Sequence, residues 1–585
     1  MNIFKNTKDK LIVIILEIAK NQNIEIPQDR LNIFTVEPCK EKTHGDMATN
    51  IAMILCKTFN VKPQNLAELI IKELEKDSQI QTAKLAGVGF INIVFYNKIW
   101  YDFLADILSK KEIEFPNLGK NEKINLEYAS PNPTGPMHVG HTRGAIYGDV
   151  LANLLLKTGF DVTKEYYIND AGSQIVTLIK SAFLRYREAC GEVIEIPAGL
   201  YPGEYLIPIG QKLKEKYQDK LINKTEEEYL DLIRDFVVNS MMEMIKEDLA
   251  KLGIKHDVFS SEKKKLHDSG KIDQAIEILT KQNLIYEGIL EAPQGKKIED
   301  YSPEPQILFR STKFGDDCDR VVKKADGSPT YLAGDIAYSL DKFERGFKNM
   351  ILPLGYDHGG YVKRLSAVVE AISGGEARVK VILCQMVKFI KNNEPLKMSK
   401  RSGNFIAASD LIEEVGADVI RFIMLTRKND APFDFDLAKV LEQSKDNPIF
   451  YVQYAYARCS SILRNLKNEI PQFNNLENEK IDEAILINLK YEVEIDLIKK
   501  LANYERIIEM SVANYEPHRI AFYLQDLVAS FHSLWNEGGK NKELRFIIPD
   551  NKNLTKARIY LIFAVMKVIA NALAIFSIKP LEEMK

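Results

Sequence analysis

The N-terminal part of the chain mixes two hydrophobic patterns. Apolar positions around Ile70 and Leu74 recur at the three- and four-residue spacing that places side chains on one face of a helix. Residues 89–95 form a short, apolar-rich run that is typical of a strand. A proline and a glycine within 116–121 then mark a linker. These patterns predict a compact α+β module over residues 1–118.

The middle of the chain alternates strand and helix patterns. Apolar and polar side chains alternate over residues 124–128, and a proline- and glycine-rich turn leads into a helix that we expect to begin near His138. Further strands are indicated at 349–354 and 379–383. Because strand, turn and helix repeat, the pattern predicts a parallel α/β sheet. Between about 175 and 300 the sequence turns charged and helical, which indicates an insertion between the two halves of that sheet.

The strand pattern ends near residue 440. Beyond it the chain shows long helical periodicities, with aromatic residues such as Tyr451 and Tyr454 among the apolar positions. We therefore predict the α/β fold class, with a parallel-sheet domain over 119–440 that carries the helical insertion, and an all-α domain over 441–585.

Size, charge and cysteine content narrow the class of protein. A chain of 585 residues is expected to form roughly three or four domains. The net charge of −3 does not fit a small basic nucleic-acid binder, although local basic faces can still serve a large RNA partner. The six cysteines lie far apart without zinc-ligand spacing, which predicts free thiols and no structural zinc.

Targeting and membrane signals are not indicated by the sequence. The first apolar stretch is interrupted by Glu17 and Lys20, and no small-residue cleavage site follows it. Apolar runs elsewhere fall short of the ~20 residues that cross a membrane. We expect a cytoplasmic protein that makes no membrane contact.

The strongest chemical signal is the segment 130–141, at the predicted strand-to-helix turn. His138 and His141 are three residues apart, so they share one face of the first helical turn. A helix N-terminus attracts anions, and imidazoles can donate hydrogen bonds to phosphate oxygens. Gly140 leaves room for a flat ring such as adenine. Two unrelated surface histidines are the alternative, but this motif would arise by chance in roughly one chain in a hundred or fewer.

A second signal is the lysine-bearing segment 397–404, which reads Lys-Met-Ser-Lys-Arg-Ser-Gly-Asn. Alone, Lys397, Lys400 and the neighbouring arginine would usually form a solvated charge run. Together with the histidine motif far upstream, however, the segment resembles the second of the two ATP motifs of class I aminoacyl-tRNA synthetases.

That resemblance implies a reaction and assigns residues to it. In this family the amino-acid carboxylate attacks the α-phosphate of ATP and pyrophosphate leaves, so the protein must align the reactants and place positive charge around the phosphates. The resemblance gives this work to His138, His141, Lys397 and Lys400, with Gly140 also at the ATP and Lys400 ranked above Lys397 as a phosphate contact. Mg²⁺ is expected to accompany ATP, with no protein ligand assigned.

Further stretches resemble the arginyl members of this class and extend over nearly the whole chain. They comprise residues 44–50, 127–132, 329–338, 355–361, 418–421 and 447–455. The resemblance implies a Rossmann-type catalytic domain, an N-terminal module that contacts tRNA and a C-terminal anticodon-binding domain. The chain departs from the family where a glycine, Gly359, stands in place of a frequent second histidine, and we assign no role to Tyr356.

The chemistry of an arginine pocket agrees with this resemblance. A guanidinium group calls for carboxylates that accept paired N–H donors. Tyr331 and Asp335 are four apart on a predicted helix, and Glu127 lies at the carboxyl end of a strand, where α/β sheets bind ligands. By resemblance, Asp335 meets the guanidinium beside Tyr331, Glu127 and Asn132 hold the amino-acid end, and Ser130 assists. Taken singly, each of these is a common structural residue.

The expected function is therefore that of an arginine–tRNA ligase. Its partners would be L-arginine, ATP and tRNA(Arg), it would act as a monomer, and the resemblance implies that tRNA must bind before arginine is activated. Two alternatives stay open. A small-molecule nucleotidylyltransferase would explain the histidine motif but would leave the terminal domains without a purpose. A non-catalytic tRNA-binding paralogue should have lost motif residues, whereas His138, His141, Lys397 and Lys400 are all present.

Overall fold

Helices pack against an antiparallel sheet in the N-terminal module. The computed structural model describes residues 1–290, 304–391, 394–395, 406–473, 475–479 and 481–584. The strands of the module are β1 (Val36–Pro38), β2 (Met47–Thr49), β3 (Ile80–Ala86) and β4 (Phe90–Phe95). They pair in the order β1–β2–β4–β3. The helices are α1 (Ile3–Asn21), α2 (Gln28–Ile33), α3 (Ile51–Leu55), α4 (Pro63–Leu74) and α5 (Lys98–Ser109). Helix α4 buries Ile70 and Leu74, so the helical periodicity seen there is confirmed.

A parallel sheet forms the centre of the middle domain. The strands of this domain are β5 (Lys123–Glu127), β6 (Asp161–Ile168), β7 (Val258–Ser261), β8 (Ile285–Gly288), β9 (Gln306–Phe309), β10 (Arg320–Lys323), β11 (Asn349–Gly355), β12 (Arg378–Cys384), β13 (Val387–Lys391), β14 (Glu394–Pro395) and β15 (Phe433–Asp436). The central sheet has the order β12–β11–β5–β6–β7, with every neighbouring pair parallel. Two three-stranded sheets, β10–β9–β8 and β14–β13–β15, stand beside it. The α/β prediction is confirmed.

Helices cover both faces of the central sheet. The helices of the middle domain are α6 (Thr142–Lys157), α7 (Ser173–Ala189), α8 (Ile207–Tyr217), α9 (Glu226–Lys251), α10 (Lys271–Lys281), α11 (Tyr331–Glu344), α12 (Tyr361–Ile372), α13 (Ala408–Val415), α14 (Ala417–Ile423) and α15 (Leu437–Val440). Because helices cover both faces, side chains on either side of β5 are buried. Asn125 is therefore buried although its strand alternates apolar and polar residues. Its amide donates to Glu165 of β6 at 2.5 Å, which satisfies the buried polar group.

The predicted insertion at about 175–300 is too wide. Helices α7, α8 and α9 form its helical part, but β7 lies within the same range and is an edge strand of the central sheet. Strand β7 has only four residues, and so short a run shows no periodicity in the sequence.

The C-terminal domain is helical throughout its described residues, as predicted. Its helices are α16 (Pro448–Glu469), α17 (Glu492–Ala502), α18 (Tyr504–Asn514), α19 (His518–Lys540) and α20 (Lys552–Ile575). In the described chain, α20 is the single helix long and apolar enough to cross a membrane, yet most of it is buried inside the domain. It carries Arg558, which is fully buried and paired with Glu494 of α17 at 2.7 Å.

Buried polar contacts hold the three parts of the chain together. Arg421 of α14 donates to Asp149 of α6 at 2.6 Å and to the carbonyl of Phe576, just after α20, at 2.5 Å. The N-terminal module contacts the C-terminal domain through Lys499, whose ammonium lies 2.6 Å from Asp46. Both terminal parts are thereby fixed relative to the central sheet.

Candidate active site

Two cavities meet above the carboxyl ends of β5 and β11. The first, of about 590 Å³, is lined by the end of β5, the histidine motif, the end of β11 and residues 384–387. The second, of about 290 Å³, lies between α11, α12 and the same strands. Both are lined by Glu127, Leu352, Leu354 and His358. The edge where α/β sheets bind ligands therefore holds two adjoining compartments.

The histidine motif forms a tight turn before α6. His138 precedes a 3₁₀ turn, Val139–His141, and the regular α-helix begins only at Thr142, later than predicted. The two imidazole rings stack with their centroids 3.7 Å apart and their planes 22° from parallel. The paired histidines that the sequence predicted are thus brought together, and both line the first cavity.

Backbone hydrogen bonds set the tautomers of the two histidines. The Gly140 N–H donates to Nδ1 of His138 at 3.1 Å, and the His138 N–H donates to Nδ1 of His141 at 3.4 Å. A neutral imidazole carries one ring hydrogen, so an accepting Nδ1 places that hydrogen on Nε2. Each ring therefore presents its N–H donor at the end remote from the backbone.

Gly140 is needed because the His138 ring folds over it. A Cβ at this position would lie 2.9 Å from two atoms of that ring, closer than side chains pack. The sequence suggested a different reason, namely room for an adenine ring. Gly140 does line the first cavity, but the contact it permits within the chain is to His138.

The chain that follows the lysine segment is bonded to the histidine motif. Lys397 and Lys400 lie outside the described residues. At residue 406 the backbone pairs with this motif, since the Val139 N–H donates to the Ile406 carbonyl at 3.1 Å and the Ala408 N–H to the Met137 carbonyl at 2.8 Å.

Arg143 joins the histidine helix to the strands near the lysine segment. Its guanidinium donates to the carbonyls of Gln385 at 2.9 Å, Lys428 at 2.9 Å and Ala431 at 3.0 Å. It also lies over the ring of Phe433, on the strand that pairs with β13. The sequence alone did not reveal this clamping role of Arg143.

Helix α11 forms one wall of the second cavity. Tyr331, Asp335, Tyr338 and Lys342 recur at helical spacing and all line it. Tyr331 is 72% exposed, at the start of the helix. The predicted pairing of Tyr331 with Asp335 on one face is therefore present.

The Asp335 carboxyl group is held in an unfavourable setting for ionisation. Burial raises its pKa to about 7, and the nearby carboxylates Glu127 and Glu262 add to this, whereas Arg364 opposes it. A carboxyl in such a setting gains most from a cation that enters the cavity.

Glu165, beneath the cavity, has the opposite environment. It accepts hydrogen bonds from Ser260 at 2.5 Å, from Tyr338 at 2.9 Å and from Arg345 at 2.9 Å. Although burial opposes ionisation, Lys342, Ser260 and Arg345 lower its pKa to about 2. Glu165 is thus a satisfied structural anion that ties α11 to the sheet.

The remaining predicted residues differ in how they meet the cavities. Oε2 of Glu127 accepts from Lys342 at 2.5 Å. The Ser130 hydroxyl lines the first cavity and accepts from the backbone N–H of Tyr167 at 3.0 Å. Asn132 lines neither cavity, because its amide donates to Gln174 at 3.0 Å. Tyr356 also lines neither cavity.

Several cavity residues were missed from the sequence. Tyr167 lies at the end of β6, Asn169 comes directly after that strand, and Glu262 comes directly after β7. The rule that ligands bind at the carboxyl ends of parallel strands would have selected them, had β6 and β7 been recognised. Burial raises the pKa of Glu262, whose carboxylate lies 3.5 Å from His267. Within the described ranges, no group of three or more His, Cys, Asp or Glu side chains is arranged to hold a metal ion.

Comparison with known protein families covers most of the chain. Residues 103–442 match the model "tRNA synthetases class I (R), catalytic domain". Residues 9–95 match "Arginyl tRNA synthetase N terminal domain", and residues 452–584 match "DALR anticodon binding domain". The domain bounds 1–118, 119–440 and 441–585 remain predictions.

Similar proteins share the full length of the chain. An arginine–tRNA ligase of Wolbachia pipientis wMel is 51% identical over 585 residues, and that of Rhizobium meliloti (strain 1021) is 49% identical over 593, with 100% of both chains covered in each case. Among solved structures, Thermus thermophilus arginyl-tRNA synthetase is similar with a TM-score of 0.75 at 18% identity, covering 100% of both chains. The Plasmodium falciparum arginyl-tRNA synthetase gives 0.74 at 18%, covering 100% of this chain and 99% of the other. Because the sequence identity is 18%, these two structures support the assignment of the fold alone.

Replacing Asp335 with Asn should raise thermal stability in a pH-dependent way. The folded pKa of about 7 lies above the ordinary value of 3.8, so ionised Asp335 destabilises the folded state. The destabilisation begins as the pH rises past the ordinary pKa, grows until the pH reaches the folded pKa, and is constant at higher pH. The melting temperature of Asp335→Asn should therefore exceed that of the wild type increasingly from about pH 4 to about pH 7. The exposed control Asp231→Asn should show no such trend, and a pH-independent difference for Asp335→Asn would contradict the environment described.

Proposed function

This chain belongs to the arginyl-tRNA synthetase family, and from that premise we propose which of its residues perform each part of the reaction. The enzyme joins L-arginine to tRNA(Arg) with ATP. The arginine carboxylate attacks the α-phosphate to give arginyl-adenylate and pyrophosphate, and the 3′ end of the tRNA then takes the arginyl group and releases AMP. The main support for assigning one cavity to ATP and the other to arginine is that the two cavities meet at Glu127.

The first cavity is the ATP side of the site. His138 and His141 would donate their Nε2 hydrogens to phosphate oxygens, and Gly140 would border the nucleotide. Lys397 and Lys400 would neutralise the departing pyrophosphate, with Lys400 the direct contact. In support, the chain after the lysine segment is hydrogen-bonded to the backbone on both sides of His138.

Mg²⁺ would enter this cavity together with ATP. It prefers oxygen ligands and keeps several waters, so phosphate oxygens with one carboxylate suffice. Of the described lining, Asp357 offers an exposed carboxylate that fits this need. The ion would supply charge neutralisation at the phosphates.

The second cavity is the arginine side. Asp335 would accept the guanidinium N–H groups, with Tyr331 at the mouth and Glu262 along the wall. Glu127 would meet the α-ammonium where the two cavities join, which turns the arginine carboxylate towards the ATP. Ser130 borders the same junction, whereas Asn132 would have to leave Gln174 to reach it.

Selectivity for arginine follows from these buried carboxylates. A substrate without a guanidinium would leave them unpaired in a cavity that shields them from water, which is costly. The ammonium group of lysine is a compact charge, and it lacks the two parallel N–H donors with which a guanidinium binds both oxygens of a carboxylate. An editing site is therefore unnecessary.

The terminal domains would bind the tRNA. The N-terminal module and the anticodon-binding helices are fixed to each other and to the catalytic domain, so one tRNA can bridge all three. We expect tRNA to be required before arginine is activated. We also expect a monomer that acts in the cytoplasm.

Charging of tRNA(Arg) with each of the twenty amino acids in parallel tests this function. We expect arginine alone to be attached, with release of AMP and pyrophosphate. ATP cleavage with transfer of the nucleotide to a small acceptor, and no charging, would instead support the nucleotidylyltransferase.

Replacing either His138 or His141 with Ala should slow adenylate formation by about 10²–10³-fold, because each substitution removes one donor to the developing phosphate charge. Pyrophosphate exchange at saturating tRNA measures this rate, and filter binding should give an unchanged tRNA affinity. The control His44→Ala, in the N-terminal module, should exchange at the wild-type rate under these conditions. Normal exchange in both site variants would refute the assignment.

A further inference from the structure

Lys342 is a buried cation at the arginine cavity. Its side chain is only 7% exposed and lies on α11, two helical turns after Asp335. The ammonium is 2.5 Å from Oε2 of Glu127 and 4.2 Å from the centre of the Tyr338 ring. A lysine is rarely buried to this extent unless it is paired, so the contact with Glu127 is the main reason for its position.

The contact leaves Glu127 with two unlike oxygens. Within the part of the chain that the structure describes, Oε2 has Lys342 as its donor and Oε1 has no hydrogen-bond donor. Glu127 lines both cavities, so its carboxylate stands where arginine and ATP must meet. One oxygen is therefore held by Lys342, while the carboxylate itself borders the space for a substrate.

The charges around Glu127 explain why a fixed cation is needed there. Asp335 of α11 and Glu262 after β7 are nearby carboxyl groups, and the carboxylates of Glu127 and Glu262 oppose the ionisation of Asp335. Glu165 is the partner of Glu127 in the pairing of β5 with β6. Arg345 is engaged by Glu165 and Asp341, which leaves Lys342 as the direct cationic partner of Glu127 in the described chain.

We propose that Lys342 is a positioning residue for the α-ammonium group of arginine. By holding one oxygen of Glu127, it keeps that carboxylate oriented so that the other oxygen accepts the substrate ammonium. Lys342 also lines the arginine cavity, but its effect on the ammonium is transmitted through Glu127. This inference rests on the proposed role of Glu127.

A pair of ligands separates this role from mere support of the pocket. Arginine carries both the guanidinium and the α-ammonium, whereas 5-guanidinopentanoic acid lacks only the amino group. If Lys342 acts through Glu127 on the ammonium, its removal should weaken the binding of arginine but spare the amino-free ligand. A general loss of pocket structure would weaken both equally.

The experiment measures the Kd of both ligands by titration calorimetry on the full chain. Lys342→Met should weaken arginine by about tenfold or more and change the affinity for 5-guanidinopentanoic acid by less than about threefold. Lys342→Gln serves as the second neutral variant should the methionine variant fail to fold. Glu127→Gln should show the same selective loss.

Lys164→Met is the matched control, because it removes another largely buried lysine, paired with Asp149 at 3.0 Å, that lines neither cavity. It should leave both affinities unchanged.

An equal loss of affinity for both ligands in the Lys342 variants, or no loss of affinity for either ligand, would overturn the inference. If Glu127→Gln shows the selective loss but the Lys342 variants do not, the positioning role of Lys342 is refuted and the ammonium-binding role of Glu127 is retained. If Glu127→Gln shows no selective loss, the ammonium-binding role of Glu127 is itself refuted.

Discussion

Several carboxyl groups crowd together where helix α11 meets the ends of β5, β6 and β7, in surroundings that shield them from water. Such a cluster is tolerated only where cations offset it, and the chain supplies these cations unevenly. Glu165 lies near Lys342 and accepts hydrogen bonds from Ser260 and Arg345, and together these groups lower its pKa to about 2. Asp335 has no comparable partner, and its pKa rises to about 7. This imbalance separates the carboxylate that supports the fold from the one that can receive a cationic substrate.

The rest of the molecule keeps this edge of the sheet in place. Arg143 clamps the histidine helix to three carbonyl groups of the neighbouring loops, so the ATP side cannot move independently of the strands. Arg421 joins Asp149 beneath the site to the end of the last helix. The C-terminal domain is in this way attached to the helix that follows the histidine pair.

The sequence predicted those parts of the site that short motifs encode. The pairing of His138 with His141 across one tight turn and the shared face of Tyr331 and Asp335 on α11 both follow from short spacing along the chain, which the sequence reveals directly. The cavity residues Tyr167, at the end of β6, and Glu262, directly after β7, were missed because the patterns of these two strands were not recognised. Lys342 was missed for another reason. A single lysine on an amphipathic helix usually faces solvent, and only the packing of α11 against β5 brings it to Glu127.

The sequence also could not show which polar groups are already engaged. Asn132 was assigned to the substrate by resemblance, but in the fold its amide bonds to Gln174. Gly140 was interpreted as space for a ligand, whereas the structure places the His138 ring against it. In both cases the partner comes from the three-dimensional arrangement, so a motif alone identifies the residue without identifying its contact.

Proton release on arginine binding tests the central claim most directly, because a guanidinium at Asp335 must ionise a carboxyl group that is only partly ionised near neutral pH. Calorimetric titration of arginine in two buffers with different ionisation enthalpies gives the number of protons released. With a pKa of about 7 for Asp335, about half a proton per arginine should leave at pH 7, and this release should disappear in Asp335→Asn. Arginine binding without proton release, or with the same release in Asp335→Asn, would contradict the account.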